Sequence, residues 1–429
     1  MRPKIICRTM VVFCLVWTWA AGNCIGQGLS LSLEQAHSLA RQHYPLSGQR
    51  ELLKKAMEYS VANAAKGYLP QLTLAGQATL QSDVTTLPFK SPVAGITFPQ
   101  YSKDQYKLYG QIDQTLYDGG LIRNQQQTQK TDELVQEQNL DVSLYALYDR
   151  VNQLFFGILL IDEQMKQNEL LQEDIQNGID KTVALLNNGL AYKSNVDELR
   201  ARLLQAEQAR VEEKSNRKAW LNMLGLFIDQ PLDESTRLET PSDPLLTDVV
   251  RRPELLLYDY QKRTFDLQDN LSGARLRPRL SLFFQGGYGR PGLNMLSNDF
   301  AFYYIGGLRL AWNFGNVYTL RNEKRLSALG RRSLENQKET FLFNTRLLQK
   351  QYDGEMAKLM ELLWTDERII RLWTSVRMAA AAQLEQGVLS AHDYITQVNA
   401  EDQARQARIL HKVQLLQAGY NYKNLNGNP

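Results

Sequence analysis

The chain has very little cysteine, no net charge beyond its first residues, and long stretches without proline. Its three cysteines are Cys7, Cys14 and Cys24. They lie in or just after a segment with the order of a secretory leader. Arg2, Lys4 and Arg8 precede an apolar run from Met10 to Ala21, and small residues place cleavage after Gly22 or Gly26. Such a run is too short for a stable membrane-spanning helix. Cleavage after Gly26 leaves a mature chain with no thiol, which excludes disulfides, thiol catalysis and cysteine metal sites. Lipidation of Cys24 is the other reading, and Asn23 before it fits a lipobox poorly. The formal charge of +3 comes from Arg2, Lys4 and Arg8: removing these three from 49 basic residues leaves 46, against 46 acidic ones. A neutral mature chain gives no argument for nucleic acid as a partner. After the leader there is no run of about 18 consecutive apolar residues, the length of an apolar spanning helix.

Proline is absent from Gln100 to Gln230 and again from Gly292 to Asn428. Proline costs about 3 kcal/mol in a helix interior, so these windows predict two long helical regions. The two halves of the chain also match in sequence. Pro70-Gln-Leu-Thr-Leu74 answers Pro278-Arg-Leu-Ser-Leu282, and Gln205-Ala-Glu-Gln-Ala-Arg210 answers Gln403-Ala-Arg-Gln-Ala-Arg408. Gly189 answers Gly387 at the offset of that second pair. The pattern predicts a duplicated unit of roughly 200 residues, larger than a solenoid repeat. The expected division is a leader over 1–26, a first repeat over 27–228, an equatorial linker over 229–251 and a second repeat over 252–429. The first repeat would hold strands near 70–81 and 104–117 and helices near 121–187 and 193–228. The second would hold strands near 279–289 and 301–313 and helices near 317–386 and 391–424.

Each strand candidate alternates with period two. Leu72, Leu74, Ala78 and Leu80 oppose Gln71, Thr73, Gln77 and Thr79. Tyr106, Leu108, Ile112 and Leu116 oppose Lys107, Gln111, Asp113 and Thr115. Leu280, Leu282, Phe284 and Tyr288 alternate with Arg279, Ser281 and Gln285, and Phe302, Tyr304, Leu308, Leu310 and Trp312 oppose Arg309 and Asn313. A soluble sheet with one wet face would show the same alternation. The lengths also match the roughly 9 to 11 residues of a tilted transmembrane strand. Four strands in lipid leave open edges with unsatisfied backbone groups. Three copies give twelve strands, an even number in the outer-membrane range, which predicts a homotrimer.

At 1.5 Å per residue the first long helix would reach roughly 100 Å. Its apolar positions Leu140, Leu144, Leu147, Val151, Leu154, Ile158, Ile161 and Met165 follow a coiled-coil spacing, and Tyr352, Met356, Leu359, Leu363, Ile370 and Trp373 repeat it less strictly. Heptads alone fit a periplasmic rod. Continuation from membrane strands would instead extend a barrel wall into a duct. The breaks at Asn188-Gly189-Leu190 and Gln386-Gly387-Val388 read as glycine helix ends and would lie farthest from the strands. No catalytic constellation is visible. His37, His43, His392 and His411 lack metal-ligand spacing, and Gly286-Gly-Tyr-Gly289 sits inside a strand without a phosphate-loop lysine. No enzyme, cofactor or metal is expected.

With the duplicated Gly189-Leu190 and Gly387-Val388 turns, the Pro70 and Pro278 helix-to-strand junctions, and Leu116-Tyr-Asp-Gly-Gly120 answered by Trp312-Asn-Phe-Gly-Asn316, the chain resembles the TolC family of outer-membrane efflux proteins over essentially its whole mature length. The resemblance implies a mainly α chain with four transmembrane strands, whose antiparallel helical hairpins form a helical barrel continuous with a trimeric twelve-stranded β-barrel. It implies a passive exit duct for small toxic solutes or drugs in the outer membrane. A periplasmic adaptor and a separate inner-membrane pump would be its partners. A type I protein secretion duct and a non-pore coiled-coil structural protein are the alternatives. The implied adaptor-binding tip is Gly189, Leu190, Gly387 and Val388. The implied gate holds Asp393 at the outer acidic-ring position, Thr396 where a second acid is missing, and Asn195 and Asp197 in the first repeat. Leu384 and Leu389 stand where the family has polar locking partners, which implies a partly hydrophobic gate. Gly119 and Gly315 join Pro70 and Pro278 as junction residues.

Overall fold

The computed structural model describes residues 30–84, 102–294 and 297–428. The leader, its cysteines and most of the Ser82–Lys103 connection lie outside these residues. In order, the elements are β1 (Ser30–Leu31), α1 (Leu33–His43), α2 (Gln49–Ala65), β2 (Gln71–Leu80), β3 (Asp104–Tyr117), α3 (Leu121–Tyr145), α4 (Leu147–Asn187) and α5 (Lys193–Ile228). They continue with β4 (Arg237–Leu238), α6 (Pro253–Ala274), β5 (Arg279–Arg290), β6 (Ala301–Ala311), α7 (Val317–Glu385) and α8 (Ala391–Leu425).

The four long strands form an antiparallel sheet in the order β2-β3-β5-β6, with β2 and β6 at its edges. Register puts the apolar residues on one face. Leu72 lies opposite Ile112, which lies opposite Phe284; Leu282 pairs with Leu308 and Leu280 with Leu310. Nothing among the described residues covers this face: Leu74 is 77% exposed and Phe302 87%. At the end away from the helices, Phe300 stacks between Tyr106 and Tyr288, at 6.4 Å and 5.6 Å between ring centres. At the helical end Trp312 lies 4.7 Å from Phe314 and donates its indole N–H to the Leu276 carbonyl at 2.8 Å.

The helices extend from the sheet as two hairpins, α4 against α5 and α7 against α8, with α4 also packed on α8. At 69 residues, α7 spans about 100 Å at 1.5 Å per residue. One core joins α1, α4, α5 and α8 through Leu33, Ala36, Phe155, Phe156, Ile158, Leu221, Leu224, Ile228 and Tyr420. A second core fills the hairpin ends with Ile175, Ile179, Leu185, Leu199, Leu384, Tyr394 and Ile395. The stretch Leu121–Asn187 contains an 18-residue window of mean hydropathy 1.2, of which 56% is buried within the protein. Its apolar character serves this packing.

Expectation and structure differ in the first long helix, which is interrupted at Ala146. There the helix changes partners, from α2 and α6 along α3 to α5 and α8 along α4. Leu140, Leu144 and Leu147 stay buried across the interruption, packed by Tyr44, Leu46, Leu53 and Phe227. Tyr145 anchors it, donating its hydroxyl to the Asn424 carbonyl at 2.7 Å under the Arg252 guanidinium.

Candidate functional site: hairpin tips and strand-helix junctions

The two tips have the same backbone geometry. After α4, Gly189 N–H donates to Leu186 C=O at 2.9 Å and Leu190 N–H to Leu185 C=O at 2.8 Å. After α7, Gly387 N–H donates to Leu384 C=O at 3.0 Å and Val388 N–H to Gln383 C=O at 2.9 Å. Each pair is a Schellman motif, which satisfies the last helix carbonyls and needs a left-handed residue. Gly189 and Gly387 supply it with φ of +74° and +73°. Leu190 and Val388, next in sequence, are 69% and 76% exposed. Each tip therefore presents an apolar side chain beside an unobstructed glycine backbone.

The tips are held together by groups on separate elements. Lys181 on α4 pairs with Glu385 on α7 at 2.8 Å. Arg202 on α5 donates to Asn399 on α8 at 2.9 Å. His392 on α8 meets Glu198 on α5 at 2.7 Å, and that hydrogen bond and the carboxylate charge raise the imidazole pKa. Deeper in, Arg377 on α7 bridges Asp174 on α4, at 3.0 Å, and Glu401 on α8, at 2.5 Å. Arg405 and Thr374 also donate to Glu401. Burial raises the Glu401 pKa, but the hydrogen bonds from Thr374, Arg405 and Arg377 outweigh it and hold the carboxyl below its ordinary range.

The residues assigned by resemblance to a gate are in varied settings. Asp393 is exposed and engaged with the α8 N-cap: its N–H donates to Ser390 Oγ at 3.1 Å, and Ser390 Oγ donates to its carboxylate at 2.6 Å. Thr396 is exposed and donates to the His392 carbonyl at 2.9 Å. Asn195 Oδ1 accepts from Tyr192 N–H at 3.0 Å at the start of α5, and Asp197 lies exposed 4.0 Å from Arg200. Leu384, at 1% exposure, belongs to the tip core, and Leu389 packs against that core. Leu384 thus faces its own hairpins, because the α7–α8 turn closes over it.

At the junctions, Pro70 and Pro278 immediately precede β2 and β5. Asp118 caps α3 by accepting from Gly120 N–H at 2.8 Å and Ile122 N–H at 2.5 Å. Asn313 plays the corresponding part in the second half, accepting from Gly315 N–H at 2.9 Å. Gly119 and Gly315 are not equivalent. Gly119 has φ +74°, and a Cβ there would lie 2.7 Å from Arg277 Cβ and 2.9 Å from the Ala274 carbonyl. Gly315 sits in an exposed single turn and lacks a left-handed backbone. Sequence reasoning missed the Asp174–Arg377–Glu401 bridge. Its members are far apart in the chain and no local pattern marks them.

An open-edged amphipathic sheet, continued by hairpins that end in twin glycine turns, is the arrangement to be compared with known proteins. No sequence family matches the chain, and no curated protein does. Solved structures do. The outer membrane protein VceC from Vibrio cholerae superposes with a TM-score of 0.64 at 13% identity, over 92% of this chain and 96% of that one. CusC gives a TM-score of 0.66 at 13% identity, over 92% of each chain. The CmeC outer membrane channel of Campylobacter jejuni gives 0.63 at 12% identity, over 92% of this chain and 85% of that one. The shared fold extends across nearly the whole described chain.

Proposed function

We propose that the chain is one subunit of a homotrimeric outer-membrane channel that extends into the periplasm as a passive exit duct. The observation that carries this reading is the sheet. It exposes one continuous apolar face and, among the described residues, leaves the outer edges of β2 and β6 without a partner strand. In lipid, open edges leave backbone groups unsatisfied, and closure removes them. Three copies joined edge to edge make a closed barrel of twelve strands with the apolar faces outward and the polar faces around a lumen. The hairpins then continue the wall below the membrane. The two repeats, 27–228 and 252–429, supply equivalent segments of that wall, joined by the linker over 229–251.

A duct of this kind performs no chemistry, so a separate inner-membrane pump drives solutes through it. Leu190 and Val388, beside Gly189 and Gly387, offer apolar contacts to a periplasmic adaptor. Asp393, Thr396, Asn195 and Asp197 lie around the same end and would line the periplasmic entrance. Solved structures with this fold include outer-membrane channels, which supports a channel, and export of small toxic solutes or drugs is the role we assign to it. Service in a type I secretion system uses the same duct. A proton-driven or an ATP-driven partner encoded beside the gene would separate these roles.

The test is extraction from membranes. The expected result is a heat-labile trimer from detergent-solubilised outer membrane, with a hollow elongated profile in negative stain. Recovery as a monomer from the soluble periplasm would overturn the proposal and favour a non-pore coiled-coil protein.

A further inference from the structure

Resting on the reading of the sheet as one third of a barrel, we propose that the β-barrel lumen is a basic segment favouring anionic solutes, and that Lys107 and Arg279 set this preference. Register assigns the faces. Lys107 lies opposite Gln77 and Gly289, Arg279 opposite Ala311, Arg309 opposite Ser281, and Asp113 opposite Gln71 and Phe283. All four belong to the face opposite Leu72, Ile112, Phe284 and Leu308, the side that surrounds the lumen when the apolar face meets lipid.

The pairing of these charges is uneven. Arg309 stacks over Phe283, 4.6 Å from the ring centre, and reaches Asp113 at 3.5 Å. That pair cancels. Among the described residues, Lys107 and Arg279 have no carboxylate within 4.0 Å. Strand β2 brings only Gln71, Thr73, Ala75, Gln77 and Thr79 to this face. The acid at the far rim, Asp104, pairs with Arg290 and lies on the other face. In sequence, residues 85–101 contain Lys90 and no acid. Three bases less one acid leave +2 on the lumenal face of each chain, hence +6 in a trimer.

Geometry makes those charges effective. Twelve strands about 4.8 Å apart and tilted by about 40° close at a backbone radius of about 12 Å. Side chains narrow this further, so every permeating ion passes within about one Debye length, ~8 Å at physiological ionic strength, of the wall. A ring of uncompensated cations there concentrates anions and depletes cations. The solutes favoured are small mono- and dianions, including organic acids.

The test is the reversal potential of the purified channel in a planar bilayer under a potassium chloride gradient. The double variant Lys107→Gln/Arg279→Gln should lower the chloride-to-potassium permeability ratio by about threefold or more. The charge-conserving Lys107→Arg/Arg279→Lys variant should keep the parent ratio. Asp113→Asn, which frees the Arg309 charge, should raise it, and this variant carries the test if the double variant does not assemble. A ratio unmoved by neutralisation or by Asp113→Asn overturns the inference, as does a shift in the charge-conserving variant. Absence of any conductance from the parent protein would instead overturn the channel reading.

Discussion

Two glycines with the same backbone angle should respond very differently to one methyl group. Gly189 and Gly119 both have φ +74°. A Cβ on Gly189 would have no atom within 4 Å, whereas one on Gly119 would press against Arg277 Cβ at 2.7 Å and the Ala274 carbonyl at 2.9 Å. Both atoms at the junction are fixed by backbone, so neither can swing away. The left-handed conformation costs an alanine roughly 1–2 kcal/mol, and the loss of unfolded-state freedom offsets about 0.4–1 kcal/mol of it. Gly189→Ala should therefore destabilise by about 1 kcal/mol. Gly119→Ala adds an overpacking cost of about 1–3 kcal/mol and disturbs the Arg277 Nη1 bond to the Gly119 carbonyl at 3.1 Å. Its total should be about 3 kcal/mol, applied where β3 enters α3. The assay is the temperature at which the detergent-solubilised oligomer dissociates on a semi-native gel, alongside its yield from membranes. Gly189→Ala should run close to the parent, and Gly119→Ala should dissociate well below it. Equal behaviour of the two variants would refute the claim that the junction is rigidly packed and the tip open.

Other perturbations probe the remaining parts. Gly387→Trp should abolish export while leaving assembly intact, since that glycine lies at an open turn with Leu185 Cδ2 at 3.7 Å as its near neighbour; export should be followed by drug accumulation in cells. Burial lowers the His37 pKa from 6.5 to about 4, despite the Asn152 side chain at 2.8 Å. Between these values the unfolded chain binds a proton that the folded chain excludes, so stability is lost as pH falls through the window, by about 3 kcal/mol in all. Exchange protection of α1, corrected for intrinsic rate, should fall from pH 6.5 to 4, and His37→Gln should flatten that fall. Arg377→Met should cost about 1–3 kcal/mol, since it removes the bridge between Asp174 and Glu401 but leaves Arg405 and Thr374 on Glu401, and adding Glu401→Gln should recover part of the urea midpoint. Leu308→Arg on the apolar face should cost about 2–4 kcal/mol if it lies near the bilayer midplane, whereas Ile305→Arg on the other face should still yield trimer from the outer membrane.

Much of this architecture was legible because few residue patterns satisfy its constraints. Alternation with period two identifies the faces of β2, β3, β5 and β6, since a shift by one residue would exchange Leu282 for Ser281. Absence of proline delimits the long helices. The twin tips were legible because Schellman turns demand a left-handed residue, which Gly189 and Gly387 provide. The interruption at Ala146 has no such signature. It contains neither glycine nor proline and arises from a change of packing partners along one helix. Gly315 does stand between β6 and α7, and the side-chain hydrogen bond at that junction comes from Asn313, as it comes from Asp118 before α3.

The heptad reading shows why helix faces were harder to assign. Leu140 to Ile158 are buried as spaced, but Ile161 and Met165 are only half-buried, and the seam passes to Asn168, Leu171 and Ile175. A straight helix drifts against a seven-residue repeat, so one fixed register cannot face the same neighbour along its whole length. A helix in a closed wall also has neighbours on two sides. Within the chain, α7 buries Met356, Leu359, Ala380 and Leu384, yet Leu326, Leu329, Phe343, Leu347, Met360, Trp364 and Leu372 remain exposed on it. An apolar row of this length is more than a soluble monomer leaves in water. In the proposed trimer an adjacent subunit would cover it. Apolar spacing merges both rows in one pattern, and only the folded chain separates the row it buries itself from the row it leaves exposed.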